Sequence, residues 1–246
     1  MIHAVLCHPD DPRNVGTAAR AVANHGLSSL RVVTVHPFDE RDLRAYSASA
    51  VSHIRYIEVA TLDEAIKGCH RVVGTSRRRR DADGPPVWPA AGLRARLGGD
   101  APTAILFGTE RTGLTTAELD RCEAVVEVPT TEVHPSLNLA HAVACIGYEL
   151  ARPAPESVGP PAKDEAQRLS AEKRDAVYAH IQSVIEELGY PPGRSSDAFV
   201  RRLRRILHRA NPSNDEISLL AGVFTEMRRL GRMAESVPDI PPGLVD

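Results

Sequence analysis

Phe107-Gly-Thr-Glu-Arg-Thr-Gly113, followed by Val128-Pro129 and by Pro135-Ser-Leu-Asn-Leu-Ala140, is the stretch on which the fold turns. It leaves an apolar run through two glycines that flank Glu110, and glycine at such points permits positive φ and a close approach of backbone to another group. Two glycine-punctuated loops then lead into a helix start, an arrangement suited to wrapping something small. Taken alone, Gly-x-Glu-x-x-Gly fits equally well a tight strand-to-helix turn with Thr115 as N-cap. The chain has no Gly-x-Gly-x-x-Gly after a strand and no Gly-Lys-Ser/Thr phosphate loop. An ordinary Rossmann methyltransferase or dehydrogenase is therefore disfavoured.

Outward from this stretch, short β-branched runs alternate with helical patterns, which predicts an α/β domain with a mostly parallel sheet flanked by helices. Expected strands run from Ile2 to Leu6, Leu30 to Val35, Arg55 to Val59, Arg71 to Gly74, Thr103 to Phe107 and Val125 to Val128. Val15, Ala18, Ala19, Val22 and Ala23 form a helical stripe that should pack on the sheet, and Gly26 is placed to end that helix. A further helix is predicted from Asn138 to about Arg152, with Val143, Ile146, Gly147 and Leu150 inward.

The composition then changes. Residues 153–168 are too rich in proline and too poor in apolar residues to form an element, and read as a linker after a first domain of residues 1–152. Residues 169–234 carry three helical patterns. The first starts near Ser170, has Val177, Ile181, Val184, Ile185 and Leu188 on one face, and stops at Gly189. Phe199, Val200, Leu203, Ile206 and Leu207 mark the second. The third opens with the capping box Ser213-Asn-Asp-Glu216 and continues with Ile217, Leu220, Val223, Phe224 and Met227. Residues 235–246 should fray.

The 246 residues are 42% hydrophobic and 25% charged, ordinary values for a soluble globular protein, and no apolar run is long enough to span a bilayer. With no basic region before Ile2-His-Ala-Val-Leu6, no signal peptide is expected, and the chain should stay in the cytoplasm. Cys7, Cys69, Cys122 and Cys145 are widely spaced and lack the pattern of a zinc site, so they read as reduced, mostly core residues. A net charge of -2 is low for a nucleic-acid partner, but local density matters more than the total.

With Asn14-Val-Gly-Thr-Ala-Ala-Arg20 near the N-terminus, the three segments in this order resemble the three motifs of the SPOUT superfamily, the trefoil-knotted RNA ribose 2'-O-methyltransferases. The resemblance is closest to the TrmJ-type tRNA enzymes of the TrmH family and runs through nearly the whole chain. It implies a SPOUT-type fold with a deep C-terminal trefoil knot, S-adenosylmethionine as cofactor, a tRNA substrate methylated at anticodon-loop nucleotide 32 (cytidine or uridine), and a homodimer with the active site at its interface. The implied cofactor pocket comprises Thr75, Ser76 and Arg77, Gly108 and Gly113, Val128 and Pro129, and Ser136, Leu137 and Asn138. Pro135 departs from the small polar residue common in that group and removes an N–H.

The implied catalytic residues are Arg20, Asn14, Glu110, Ser136 and Asn138. A 2'-hydroxyl attacks a sulfonium methyl in line, so alignment and electrostatics should supply most of the rate, and the chemistry calls for no metal. A guanidinium holds its proton throughout the physiological range, which favours Arg20 as a holder of the adjacent phosphate over Arg20 as a general base. Gly16, one turn before Arg20, is expected to leave bare backbone beside it, with room for a ribose-phosphate. RNA contacts are expected from Arg77, Arg78, Arg79 and Arg80, beside the cofactor loop, and from Arg201, Arg202, Arg204, Arg205 and Arg209 on one tail helix. With 4% aromatic residues, backbone and shape readout of folded RNA is favoured over base stacking. Ribosomal RNA as substrate, and a non-catalytic RNA-binding protein of the same fold, are the alternatives.

Overall fold

A computed structural model describes residues 1–76, 85–133, 135–152, 170–190, 195–210 and 212–235. The expected linker 153–168, residues 236–246 of the tail expected to fray, and Arg77 to Arg80 lie outside them. The chain divides into two compact units, Met1–Glu172 and Lys173–Asp246.

The first unit is built on seven strands: β1 Ile2–Cys7, β2 Ser29–Val33, β3 Tyr56–Val59, β4 Arg71–Thr75, β5 Val87–Pro89, β6 Thr103–Phe107 and β7 Ala124–Glu127. They form one sheet in the order β3-β2-β1-β6-β4-β7-β5, and every pair runs parallel. Six of the seven match expected strands. β2 stops at Val33, and Val35 is exposed beyond it. The unexpected strand, β5, has three residues at the sheet edge, flanked by Pro85 and Pro86 and ending in Pro89. Such a sequence carries no alternation to read.

A parallel sheet covered on both faces needs apolar residues on both sides of each strand. β1 shows this: Ala4 and Leu6 enter one core cluster, Val5 and Cys7 the other. Ile105 and Phe107 of β6 follow the first pair, Ala104 and Leu106 the second. The first face is covered by α1 (Pro12–His25), α2 (Glu40–Tyr46), α4 (Leu93–Leu97) and α6 (Leu139–Ala151). The second is covered by α3 (Leu62–Ile66) and α5 (Thr116–Asp120).

Helix α1 begins at Asp11, whose side chain accepts from the Arg13 amide, with Pro12 in the first turn. It ends at Gly26, at φ 65°. Val15, Ala18, Ala19 and Val22 are fully buried as the stripe predicts, but Ala23 is exposed and Ala21 is buried in its stead. Gly147 of α6 lies against α1: a Cβ there would sit 2.8 Å from His25 Cδ2. The two helices touch through this missing side chain.

The second unit has α7 (Ala171–Glu187, its first two residues in the first unit), α8 (Ser196–Ala210) and α9 (Asn214–Glu235). Tyr178, Ile181, Ile185 and Val200 form its core, with Val177, Phe199, Leu203, Leu207, Leu220 and Phe224 packed around them. Gly189, at φ 64°, ends α7, and Ser213 and Glu216 form the capping box of α9. Leu188, Ile206, Val223 and Met227, expected to face inward, are exposed. In each helix the inward face is narrower than the run of apolar residues suggests.

One buried residue on β1 makes stability depend on pH. His3 is buried, with Nδ1 2.8 Å from Ser29 Oγ. Burial first, and then the charges of Arg31, the N-terminus and Arg55, lower its pKa from 6.5 to about 4. The unfolded chain therefore binds a proton on this residue below pH 6.5 that the folded chain refuses until about pH 4. Stability should fall as the pH drops through that window. Urea midpoints measured from pH 7 to 4.5 should show this decline, and His3→Gln should flatten it.

Candidate active site

Four central strands end at the C-terminal edge of the sheet, three of them leading into helices. β1 leads through residues 8–11 into α1, β4 ends at Thr75 and Ser76, β6 leads through 108–114 to α5, and β7 leads through 128–138 to α6. β6 lies between β1 and β4, with Leu6 opposite Phe107 and Gly74 opposite Leu106. This order brings segments from distant parts of the sequence to one edge, where α/β sheets place their ligands.

There the side chains of Glu110, Asn14 and Asn138 form a chain of hydrogen bonds. Asn14 Nδ2 donates to Glu110 Oε1 at 2.6 Å, and Asn138 Nδ2 donates to Asn14 Oδ1 at 2.8 Å. Asn138 Oδ1 accepts from the amides of Ala140 and His141, at 2.9 and 3.3 Å, and so caps α6. The direction of this chain is forced. An ionised carboxylate only accepts, so Asn14 must turn its amino group toward Glu110 and its carbonyl toward Asn138. The helix amides fix the same direction from the other end. Glu110 Oε2 also accepts from the Asp10 backbone amide at 3.3 Å, so each carboxylate oxygen has a donor.

The loop that carries Glu110 is braced internally. Thr109 and Gly113 form an antiparallel bridge, and the Gly113 amide donates to the Thr109 carbonyl at 3.0 Å. Thr109 Oγ1 lies 2.8 Å from Thr112 Oγ1 and accepts from the Thr112 amide. Gly113 is at φ 69°, and a Cβ on Gly108 would lie 2.1 Å from the Gly113 carbonyl carbon and from the Leu114 nitrogen. The close approach at Gly108 is thus to its own loop. Thr115 is the N-cap of α5 and forms a capping box with Glu118. The stretch is a strand-to-helix turn that also delivers Glu110 to Asn14.

Gly16 requires a correction. It is buried, and a Cβ there would fall 2.6 Å from Tyr46 Cβ and 3.0 Å from the Ser47 nitrogen. The glycine admits the end of α2 and leaves no bare backbone for a ribose-phosphate. Arg20 is exposed on α1, and its guanidinium makes no hydrogen bond or ion pair among the described residues.

The expected cofactor residues occupy adjacent strand ends. Thr75, Ser76, Gly108 and Val128 are half-buried at the ends of β4, β6 and β7. Thr75 Oγ1 donates to the Leu106 carbonyl at 2.9 Å and the Ser76 amide to the Val126 carbonyl at 3.2 Å, so both residues also tie the strands together. Pro129 and Ser136 are exposed and Leu137 is half-buried. The Pro135 carbonyl accepts from Thr130 Oγ1 at 2.9 Å, which closes the loop just before Ser136. Cys7 and Cys122 lie in the core, where burial pushes their thiols far above the usual range. In the second unit, Arg204 pairs with Asp175 at 3.3 Å and lies 4.6 Å from the Tyr178 ring centroid, so it is engaged within that unit. Arg201 and Arg202 are exposed and Arg205 is half-buried. Sequence reading missed the His8 to Asp11 connection. Its contribution comes through backbone groups, which leave little signature in side-chain type.

Residues 1–148 match the SpoU rRNA Methylase family, and residues 172–236 match the C-terminal domain of the tRNA methyltransferase TrmJ. The tRNA (cytidine/uridine/adenosine-2'-O-)-methyltransferase TrmJ of Pseudomonas aeruginosa is 33% identical over 94% of this chain and 95% of its own length. The tRNA (cytidine/uridine-2'-O-)-methyltransferase TrmJ of Sodalis glossinidius is 33% identical over 98% and 97%. Among solved structures, TrmJ from Z. mobilis ZM4 superposes with a TM-score of 0.76 and 28% identity, covering 92% of this chain and 99% of that one. The chain belongs to the SpoU methylase family and is an RNA methyltransferase. Both of its units together place it in the TrmJ group of that family.

The polarity of the Glu110–Asn14–Asn138 chain gives a sharp test. Asn14→Asp keeps the shape and replaces the amino group with an oxygen facing Glu110, so two carboxylates meet without a donor between them. Methyl transfer should fall about a hundredfold or more at pH 7.5, and Asn14→Asp should unfold at a lower temperature than Asn14→Ala, which removes the repelling group. Equal activity in Asn14→Asp and wild type would show that the amino group is not needed.

Proposed function

We propose that this chain transfers the methyl group of S-adenosylmethionine to a ribose 2'-hydroxyl of tRNA, at anticodon-loop nucleotide 32, with cytidine or uridine there. The observation that carries this reading is the polar chain from Glu110 through Asn14 to Asn138 at the C-terminal edge of the sheet, with Asn14 at the start of α1 and the exposed Arg20 further along the same helix. The match of residues 172–236 to a tRNA methyltransferase domain supports tRNA over ribosomal RNA. The intact polar chain speaks against a non-catalytic RNA-binding role.

The cofactor, when bound, supplies an electrophilic methyl on a positively charged sulfur. The residues present fit such a group: half-buried Thr75, Ser76, Gly108 and Val128 bring backbone donors and acceptors to adjacent strand ends, and Leu137 adds apolar surface. Arg77 and Gly113 complete the proposed pocket, Gly113 by shaping the turn. Arg20 holds the phosphate beside the reacting ribose and stabilises the developing alkoxide by charge. Asn14, Glu110, Ser136 and Asn138 fix the sugar. The chain is proposed to be knotted as in the SPOUT fold: β6 is inserted between β1 and β4, and α6 returns to lie on α1 after β7. A homodimer with the site at its interface, acting in the cytoplasm, completes the reading.

The direct test is to map 2'-O-methyl groups in tRNA from cells with and without the protein, and in purified tRNA treated with protein and S-adenosylmethionine. Loss and restoration of the mark at nucleotide 32 is the expected result. A mark elsewhere in tRNA, or only in ribosomal RNA, would overturn the assignment of position or of substrate.

The second unit is proposed to add tRNA affinity through Arg201, Arg202 and Arg205, along with Arg77 to Arg80 of the first. Arg204, engaged with Asp175 and Tyr178, serves the packing of its own unit. Arg201→Ala/Arg205→Ala should weaken tRNA binding and reduce its salt dependence by about one to two released counterions, with S-adenosylmethionine affinity unchanged. Arg204→Ala should chiefly lower the unfolding temperature. Filter binding across a salt series together with calorimetry separates these outcomes.

A further inference from the structure

We infer that His8 is a positioning residue for methyl transfer, acting through its left-handed backbone; this rests on the transferase reading above. Among the described residues, the non-glycine positions with positive φ are His8, Ala48 and Ser49. Ala48 and Ser49 share the link that follows α2, which leaves His8, at φ 51°, as the one such position on the connection from β1 to α1. A side chain at positive φ is disfavoured, although histidine adopts it more readily than branched residues do. Strain of this kind persists where the surroundings enforce it, and functional sites are where it gathers.

The surroundings of His8 are specific. Its amide donates to the Val33 carbonyl at 3.0 Å and so holds the end of β1 to β2. Its side chain is exposed, while Pro9 behind it is buried. A residue that precedes proline is already confined by the proline ring. The turn at His8 then delivers the Asp10 amide to Glu110 Oε2 at 3.3 Å, and Asp11 caps the helix that carries Asn14. Asn14 in turn donates to Glu110 Oε1. Both donors that orient the Glu110 carboxylate therefore descend from one turn. With position 8 in an extended conformation, the chain would leave β1 in another direction, and the Asp10 amide would lose the carboxylate.

The test uses the full-length protein with His8→Val, His8→Gly and His8→Asn, assayed with tRNA and S-adenosylmethionine at saturation. Glycine and asparagine accept positive φ and lack the imidazole, so both variants should keep kcat within about threefold of wild type. His8→Val should lose about tenfold or more in kcat, with the calorimetric Kd for S-adenosylmethionine unchanged, because the ends of β4 and β7 are untouched. In a Glu110→Ala background, His8→Val should cause no further loss of kcat, since the two act through one contact. If His8→Val does not fold, His8→Ala carries the same comparison with an unbranched Cβ. A loss in His8→Gly as large as in His8→Val would assign the role to the ring and overturn the inference. So would a loss in His8→Val that persists in the Glu110→Ala background. A wild-type protein that methylates no RNA would instead overturn the transferase reading.

Discussion

The placement of β6 between β1 and β4 is the constraint on which the rest of the structure depends. β6 pairs with β1 along its whole length and with β4 on its other side, so its C-terminal end emerges between strands that belong to opposite halves of the sheet. Glu110, three residues beyond that end, thereby meets Asn14, which stands at the start of the helix after β1. The contact spans 96 residues of sequence. No local signal specifies it. It follows from the buried alternation of Ala104, Ile105, Leu106 and Phe107, all at 1% exposure or less, which suits β6 only to a strand covered on both faces.

How much of this was legible in the sequence varies with the physical origin of each feature. The interior strands were legible because burial on both faces writes continuous β-branched and apolar runs, and β5 was not, because an edge strand of three residues bounded by prolines writes nothing. Asn14, Glu110 and Asn138, which the motifs single out, do meet in the structure. Two of the motif glycines, however, are required for another reason: Gly16 admits α2 and Gly108 admits its own loop. Glycine reports that something approaches closely, and only the structure says what. The tail helices show the same limit. Val223 and Met227 continue the apolar pattern of α9 but lie outside the arc that faces α7 and α8, and a helix of 22 residues drifts past any single face.

Charge is distributed in a way that reconciles an overall -2 with an RNA partner. Many of the acidic groups are engaged locally: Asp11 holds Arg13, Glu40 holds Arg44, Glu226 holds Arg229, and Asp175 holds Arg204. The first three pairs are surface pairs that contribute little stability, but each of the four neutralises an arginine that would otherwise add to a diffuse positive field. Arg20 is exposed and without such a partner among the described residues, as are Arg41, Arg94, Arg111 and Arg201.

Asn138 joins stability and chemistry in one side chain. Its oxygen caps α6, the helix whose Val143, Ile146 and Leu150 are buried in the larger core cluster, and an N-cap of this kind contributes roughly 1 kcal/mol. Its amino group belongs to the site, through Asn14. Because the oxygen is held by the helix amides, the amino group cannot rotate away without uncapping the helix, so the geometry at Glu110 is anchored at its far end to the packing of α6 on the sheet. Gly147 extends this anchor, since its bare Cα lets α6 lie directly against α1, the helix that carries both Asn14 and Arg20. Those two residues and Asn138 thus sit on two helices that cannot shift independently. That rigidity suits a reaction in which alignment supplies most of the rate.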